Sequence, residues 1–148
     1  MTLPASFPLS MSQIASELGL SLPLSTSHSW VQQLAGGPPV SFSNLLGQSG
    51  KFTGTYTPGG NASTSFINPS APFFRGTILS LSQQLIAGPA YNITLSSGAN
   101  WNGNIKVTGL NGNVVTLINQ GGGTWSLSGT STQIMAVSQP TTFTFQPA

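Results

Sequence analysis

The chain has 148 residues, which is enough for one domain with a single core or for a small domain with an appendage, and too few for two large domains. Only three residues are Lys or Arg and one is acidic, so charged residues make up 3% of the chain, against roughly 25% in an ordinary globular protein. We therefore expect a neutral surface of hydroxyl and amide groups, and three scattered cations exclude a nucleic-acid-binding face.

This composition also leaves few groups for chemistry. Acid/base and nucleophilic catalysis need paired ionisable groups, and the chain offers Glu17, His28 and no Cys. We predict that His28 is a helix cap or a surface residue and that the chain is not an enzyme. A metal site would have too few ligands and no phosphate-binding glycine motif is present, so no metal or cofactor is expected. No apolar run approaches the roughly 20 residues of a membrane span, and no membrane insertion is expected.

The first fifty residues contain serine-initiated helical patterns that end at glycines. Three short helices are predicted: one capped by Ser10 and Gln13 and ended by Gly19, one capped by Ser29 and Gln32 and ended by Gly36, and one capped by Ser41 or Ser43 and ended by Gly47. Helices this short are marginal alone in water, so they must pack on one another or on something else. We interpret residues 1–50 as an N-terminal attachment module.

After residue 50 the hydrophobic period becomes two, and Gly, Asn and Pro separate the short runs. Strands are predicted over 51–57, 73–81, 90–95, 124–127, 133–137 and 141–145, with a type I′ hairpin at Asn111-Gly112 between two β-branched runs. This pattern predicts a mainly β protein, with an antiparallel β-sandwich of immunoglobulin-like or jelly-roll-like type over residues 51–148.

Alternation along the strands predicts which side chains share the core face. The predicted pairs are Leu79 with Leu81, Ile93 with Leu95, Ile105 with Val107, Val115 with Leu117, Trp125 with Leu127 and Phe143 with Phe145. Neutral sheet edges are open to pairing with other chains, because lysines and inward charges, which usually blunt edges, are almost absent. We therefore expect neighbouring subunits to cover the edges, and a homo-oligomer.

One tryptophan lies in a stretch without strand character. Trp101, in SGANWNGN, is the one candidate for an exposed aromatic platform that could stack on a host surface glycan, and the alternative is that it packs within its turn. Trp125 is expected in the core.

The pattern SMSQI at Ser10 to Ile14 has an echo in VSFSNLLGQSG, at Val40 to Gly50. Together they resemble an N-terminal module of small tailed-bacteriophage virion proteins, several of them predicted tail or fibre components. The pattern of that module is S-[MFL]-S-Q-I and, about thirty residues later, [IV]-S-[FLM]-S-[DN]-[LF]-x-G-x-[ST]-G. The resemblance covers about the first third of the chain. Leu46-Gly47-Gln48 stands where Arg-Gly-Lys is common, which removes two cations from any docking surface.

The resemblance implies a structural protein of the virion, made in the cytoplasm of the bacterial host, with other virion proteins as partners. The expected place is the tail tip or a fibre; the alternatives are a capsid decoration protein and a carbohydrate-binding module. If the module docks on a partner, the apolar contact would come from Met11, Ile14, Trp30, Phe42 and Leu45. The other interpretation is that the same helices fold onto the chain's own sandwich.

Overall fold

A computed structural model describes residues 2–148 of the chain, which form a mainly β protein with short helices near the amino terminus. The helices are α1 (Met11–Leu18), α2 (Ser29–Ala35) and α3 (Phe42–Leu45). The strands are β1 (Phe52–Tyr56), β2 (Gly59–Gly60), β3 (Thr64–Ile67), β4 (Ala71–Phe73), β5 (Gly76–Gln84), β6 (Ala90–Leu95), β7 (Ile105–Thr108), β8 (Val114–Gly121), β9 (Thr124–Ser128) and β10 (Thr141–Pro147). Within residues 2–148, no helix has the length and apolar character needed to cross a membrane.

All strand pairs are antiparallel, and the order along the sheet is β1-β10-β7-β8-β9-β6-β5-β3-β2, with β4 paired to β5. Strand β8 belongs to two halves of the sheet. Its first part pairs with β7 and its second part, from Ile118, pairs with β9. The sheet therefore curls on itself through β8, which gives the sandwich-like architecture predicted from the sequence.

The ends of α1 and α2 follow the expected capping chemistry, with one exception. Ser10 and Gln13 form a complete capping box, and Gly19 and Gly36 end the two helices in the left-handed conformation. The cap of α2 is His28 rather than Ser29, because the backbone N–H of Trp30 donates to the His28 ring. The interpretation of His28 as a helix cap is confirmed.

The hairpin around Asn111-Gly112 is confirmed, with a longer loop than a two-residue type I′ connection. Both residues have positive φ, 58° and 76°, as the dipeptide predicts. The ladder between β7 and β8 ends at Thr108 and Val114, and a tight turn with Asn111 and Gly112 at its centre fills the loop. The N–H of Asn113 donates to the carbonyl of Leu110 and closes the turn.

The core lies between the two halves of the sheet. The buried residues that alternation predicted are Leu81, Ile93, Leu95, Ile105, Val107, Val115, Leu117, Trp125, Phe143 and Phe145. Leu127 is half-buried and packs against this cluster.

Leu79 does not join the core, contrary to the alternation. It is 45% exposed, and Ile78 is fully buried in its place. The pairing of β5 with β6 shifts register between Ile78 and Ser80, so the side chains change face there. The prediction for Leu79 is wrong because an irregular strand breaks the period of two.

Two predicted strands have different bounds or do not form. The run 73–81 is divided by a tight turn at Phe74 and Arg75, both with positive φ, which joins β4 to β5. Residues 133–137 make no ladder. Instead, the buried amide of Gln83 accepts hydrogen bonds from the N–H groups of Ile134 and Met135 at 2.6 and 3.3 Å. The side chain of Gln83 therefore accepts the hydrogen bonds that the backbone of a neighbouring strand would otherwise have accepted.

The helices pack against the sandwich instead of standing apart. One cluster of buried apolar side chains includes residues on both sides of position 50, among them Leu18, Leu34 and Phe74. A Cβ atom at Gly50 would lie 2.7 Å from the Cδ2 of Leu18, so a larger residue there would displace Leu18 where α1 approaches β1. The division at residue 50 stays a prediction, and the described residues on its two sides share packing.

Candidate functional site

The carboxylate of Glu17 lies where α1 meets the start of β1, and it is 3% exposed. Its Oε1 accepts hydrogen bonds from the N–H groups of Gly50 and Lys51 at 2.8 and 2.9 Å, and from the hydroxyl of Ser49 at 3.3 Å. Burial raises the pKa of Glu17 above its usual value, and these hydrogen bonds oppose the shift. Glu17 therefore fixes a helix to a strand.

The chain's arginine also serves the junction between the helices and the sheet. Nη1 of Arg75 donates to the carbonyl of Ala35 at 3.2 Å and to that of Asn44 at 3.1 Å. Both carbonyls lie at the ends of helices, where backbone acceptors lack helical partners. Within residues 2–148, no group of three or more His, Cys, Asp or Glu residues could hold a metal ion.

The five residues predicted as an assembly interface face the interior of the chain itself. Ile14 and Leu45 are fully buried. Met11, Trp30 and Phe42 are half-buried and pack against the same core. The prediction of a free apolar docking surface is therefore wrong for Ile14 and Leu45. The helices fold onto the sandwich, and these two side chains are buried there and cannot contact a partner. The structure agrees with the other interpretation of these helices.

Trp101 is not an exposed platform, and that prediction is wrong. The side chain is 5% exposed, and its indole packs at 4.4 Å between ring centroids on Phe74 and meets the edge of Trp30 at 5.5 Å. Its ring N–H donates to the carbonyl of Asn104 at 3.0 Å, and a Cβ at Gly103 would overlap the ring. Trp101 is buried because its loop packs against the helices, where Trp30 provides an aromatic partner for the indole.

A surface of threonines covers the outside of β1 and β10; we call it the threonine face, and it consists of Thr53, Thr55, Thr142 and Thr144. Across the two strands the hydroxyls of Thr53 and Thr144 lie 3.0 Å apart, and those of Thr55 and Thr142 lie 2.8 Å apart. The hydroxyls therefore hydrogen-bond to one another, which leaves less unmet polarity to desolvate when this face is covered.

The outside of the other half of the sheet has hydroxyl and amide groups that are not paired with one another. Ser82, Asn92 and Ser126 stand in one row across β5, β6 and β9. Their side chains make no hydrogen bonds with the described part of the chain, so water must satisfy them. Phe66 and Ile118, both partly exposed, end the same row, so covering this face would bury apolar area and would also require partners for these polar groups.

A cleft of about 550 Å³ opens between the loop that follows β6 and the turn that joins β8 to β9. Its lining residues are Leu95, Ser96, Ser97, Ala99, Trp101, Asn119, Gly121, Gly122, Gly123 and Trp125. None of these side chains is ionisable. The N–H of Leu95 donates to the carbonyl of Gly123 at 2.8 Å and holds the two walls together.

Sequence reasoning missed both of these surfaces. The threonine face has a pattern that could have revealed it, because threonines recur at every second position in FTGTYT and TTFTF. The cleft has no such pattern, since its walls come from loops that are far apart in the chain and meet only after the sheet has curled. No protein-family model, no curated protein and no solved structure matches this chain significantly.

Proposed function

We propose that the chain is a non-enzymatic structural component of a tailed-bacteriophage virion, associated with the tail tip or a fibre. The observation that carries the proposal is the pair of S-x-S patterns shared with the N-terminal module of such proteins. In both copies the two serine hydroxyls bond to each other at the start of a helix, at 2.9 Å between Ser10 and Ser12 and at 2.7 Å between Ser41 and Ser43. The repeated pattern thus places the same hydroxyl pair at two helix starts, although only Ser10 also caps its helix.

A structural role also fits the use made of the few ionisable groups. The carboxylate of Glu17 binds backbone N–H groups, and the ring of His28 caps a helix. Both groups are engaged in holding the fold together, so neither is presented to a substrate. This arrangement supports a non-enzymatic protein.

Assembly through the neutral β surfaces fits the distribution of apolar contact. Because the apolar side chains of the helices pack against the sandwich, we propose that neighbouring virion subunits contact the threonine face. The four threonines carry no charge and their hydroxyls are already paired, so covering them brings little desolvation penalty. Lys106 lies on the neighbouring strand β7, opposite Gln146 of β10.

The proposal is tested by locating the chain in the virus that encodes it. Gold-labelled antibodies raised against the purified chain would be applied to gradient-purified particles and imaged by electron microscopy. Label at the end of the tail supports the proposal, and label spread over the capsid supports a decoration protein instead. Particles without label, when an antibody to the major capsid protein does bind them, would contradict both.

A further inference from the structure

We propose that the cleft between the loop after β6 and the turn from β8 to β9 is a binding site for a neutral saccharide. The inference does not depend on the virion role, since it concerns a pocket of this fold and its chemistry. At about 550 Å³ the cleft is within the range of small-ligand sites, about 300 to 1,000 Å³.

The floor of the cleft is rigid and aromatic. The ring N–H of Trp125 donates to the carbonyl of Gly103 at 2.7 Å, and that of Trp101 to the carbonyl of Asn104 at 3.0 Å. Both indoles are therefore fixed in orientation by adjacent backbone, and at 2% and 5% exposure they close the bottom of the cleft. The groups open to a ligand are therefore those of the cleft walls.

The walls supply polar groups that are neutral and partly unused. The hydroxyl of Ser97 makes no hydrogen bond within residues 2–148, and Gly122 lies at the tip of its turn, outside the ladder. The Asn119 amide uses its Oδ1 for the N–H of Gly121 at 2.7 Å and its Nδ2 for the carbonyl of Asn102 at 2.8 Å. Each of these amide atoms keeps capacity for one more hydrogen bond.

The entrance of the cleft is kept open by glycines. Gly121, Gly122 and Gly123 all have positive φ, and a Cβ atom at Gly121 or Gly122 would meet no other atom within 4 Å. Space that side chains would otherwise occupy is therefore available to a ligand.

These features select one chemical class of ligand. The cleft walls offer hydroxyl, amide and backbone partners, and the lining has no charged group that could neutralise a phosphate or a carboxylate. Burying an unpaired charge costs far more than burying hydroxyls that are hydrogen-bonded. Neutral hexoses and N-acetylhexosamines fit, whereas sialic acid and sugar phosphates do not.

The test is a titration of the full chain, followed by tryptophan fluorescence and calorimetry, with methyl α-glucoside, methyl β-galactoside and N-acetylglucosamine. Glucose 6-phosphate and sialic acid serve as charged comparators. For a ligand as small as one sugar ring we expect a Kd of the order of a millimolar for at least one neutral sugar. We expect the charged sugars to bind at least about tenfold more weakly. If the matching oligosaccharide binds with a lower Kd than the single sugar, a surface polysaccharide is the natural source of the ligand. If the two Kd values are equal, the ligand is a free sugar.

Two variants place the binding in the cleft. Ser97→Trp fills it from an exposed position and should weaken binding at least about tenfold, while Ser131→Trp, at an exposed position outside the cleft, should leave the Kd unchanged. If Ser97→Trp does not fold, Gly122→Asn narrows the entrance in a left-handed conformation that Asn tolerates. The proposal is overturned if no neutral sugar binds, if charged sugars bind equally well, or if binding survives the variant that fills the cleft.

Discussion

At the scale of single residues, Glu17 is the most consequential polar group of the chain. It lies at the junction of α1 and β1 with 3% of its surface exposed, and one oxygen accepts the backbone N–H groups of both Gly50 and Lys51. Buried N–H groups that lose their acceptor cost more than the hydrogen bond itself contributed. The position should therefore be sensitive to the loss of an oxygen and tolerant of the loss of charge.

We predict that Glu17→Ala lowers the free energy of unfolding by about 2 to 4 kcal/mol, because the buried N–H of Gly50 and the partly buried N–H of Lys51 lose their acceptor. Glu17→Gln keeps an oxygen at the same place and should cost less than half as much. Urea denaturation of both variants beside the wild type measures the difference. Equal destabilisation by the two substitutions would show that charge, rather than hydrogen-bond acceptance, is what the site requires.

The same group makes stability depend on pH in an uncommon direction. Burial raises the folded-state pKa of Glu17 above its usual value, so between the two pKa values the folded chain binds more protons than the unfolded chain. The free energy of unfolding should then fall as the pH rises from the usual pKa through the raised one, and level off above it. Urea denaturation between about pH 3 and pH 7 checks this.

The control for that series is Glu17→Gln, which cannot titrate. Because Glu17 is the one acidic side chain of the sequence, the variant should lose most of the slope in this range. If the wild-type protein instead gained stability relative to the variant as the pH rose, the raised pKa of Glu17 would be contradicted.

At the scale of elements, the two S-x-S patterns begin helices in different ways. The Ser10 hydroxyl accepts the N–H of Gln13 at 3.3 Å, and the Gln13 amide accepts the N–H of Ser10 at 2.8 Å, which completes a capping box. Ser41 occupies the corresponding position of α3, but its side chain makes no capping hydrogen bond. The two patterns therefore share the hydrogen bond between serine hydroxyls, but only the first one caps its helix.

We predict that Ser10→Ala lowers the free energy of unfolding by about 1 kcal/mol, the usual cost of removing a side-chain cap. Ser41→Ala is the matched control and should cost about half as much or less, because no backbone N–H loses a partner. Thermal and urea denaturation of both variants measure the difference. A larger loss in Ser41→Ala than in Ser10→Ala would mean that the hydroxyl pair with Ser43, rather than the cap, carries the stability.

Elements with purely local causes could be predicted from the sequence, and those with distant causes could not. The capping box of α1 and the positive φ of Asn111-Gly112 arise from neighbouring residues, and both are found as predicted. The exposure of Leu79 depends on a register shift against β6, and the irregular backbone at 134–135 depends on an amide from β5. No local pattern contains that information.

The candidate sites show the same division. The threonine face has a local period of two that its sequence displays, although we did not predict it as a surface. The burial of Trp101 depends on contact with Trp30 and Phe74, which are distant in the sequence, so its own neighbours suggested an exposed loop. The cleft likewise exists only because two remote loops meet.

At the scale of the whole molecule, the chain combines a nearly uncharged surface with a closed apolar interior. The described helices have their larger apolar side chains against the sandwich, so the proposed contact with neighbouring subunits would fall to the outer faces of the strands. Of the two outer faces, the threonine face has its hydroxyls paired and the other does not. This difference gives a prediction about which face is covered in the particle.

We predict that Thr55→Lys reduces incorporation into virions at least about tenfold, because it places an unpaired charge in a neutral contact. Asn92→Lys is the control, since Asn92 is an exposed strand residue on the other face. Incorporation is measured by complementing a phage that lacks the gene and quantifying the chain in purified particles. Normal incorporation of Thr55→Lys together with loss of Asn92→Lys would assign the contact to the opposite face.

The most direct measurement is the copy number of this chain relative to the major capsid protein in purified particles, by mass spectrometry with isotope-labelled peptides. The proposed place at the tail predicts few copies, about a small multiple of three or six, as the symmetry of a tail requires. Copies in the hundreds would make the chain a capsid decoration protein. Absence of the chain from the particle would contradict a structural role in the virion.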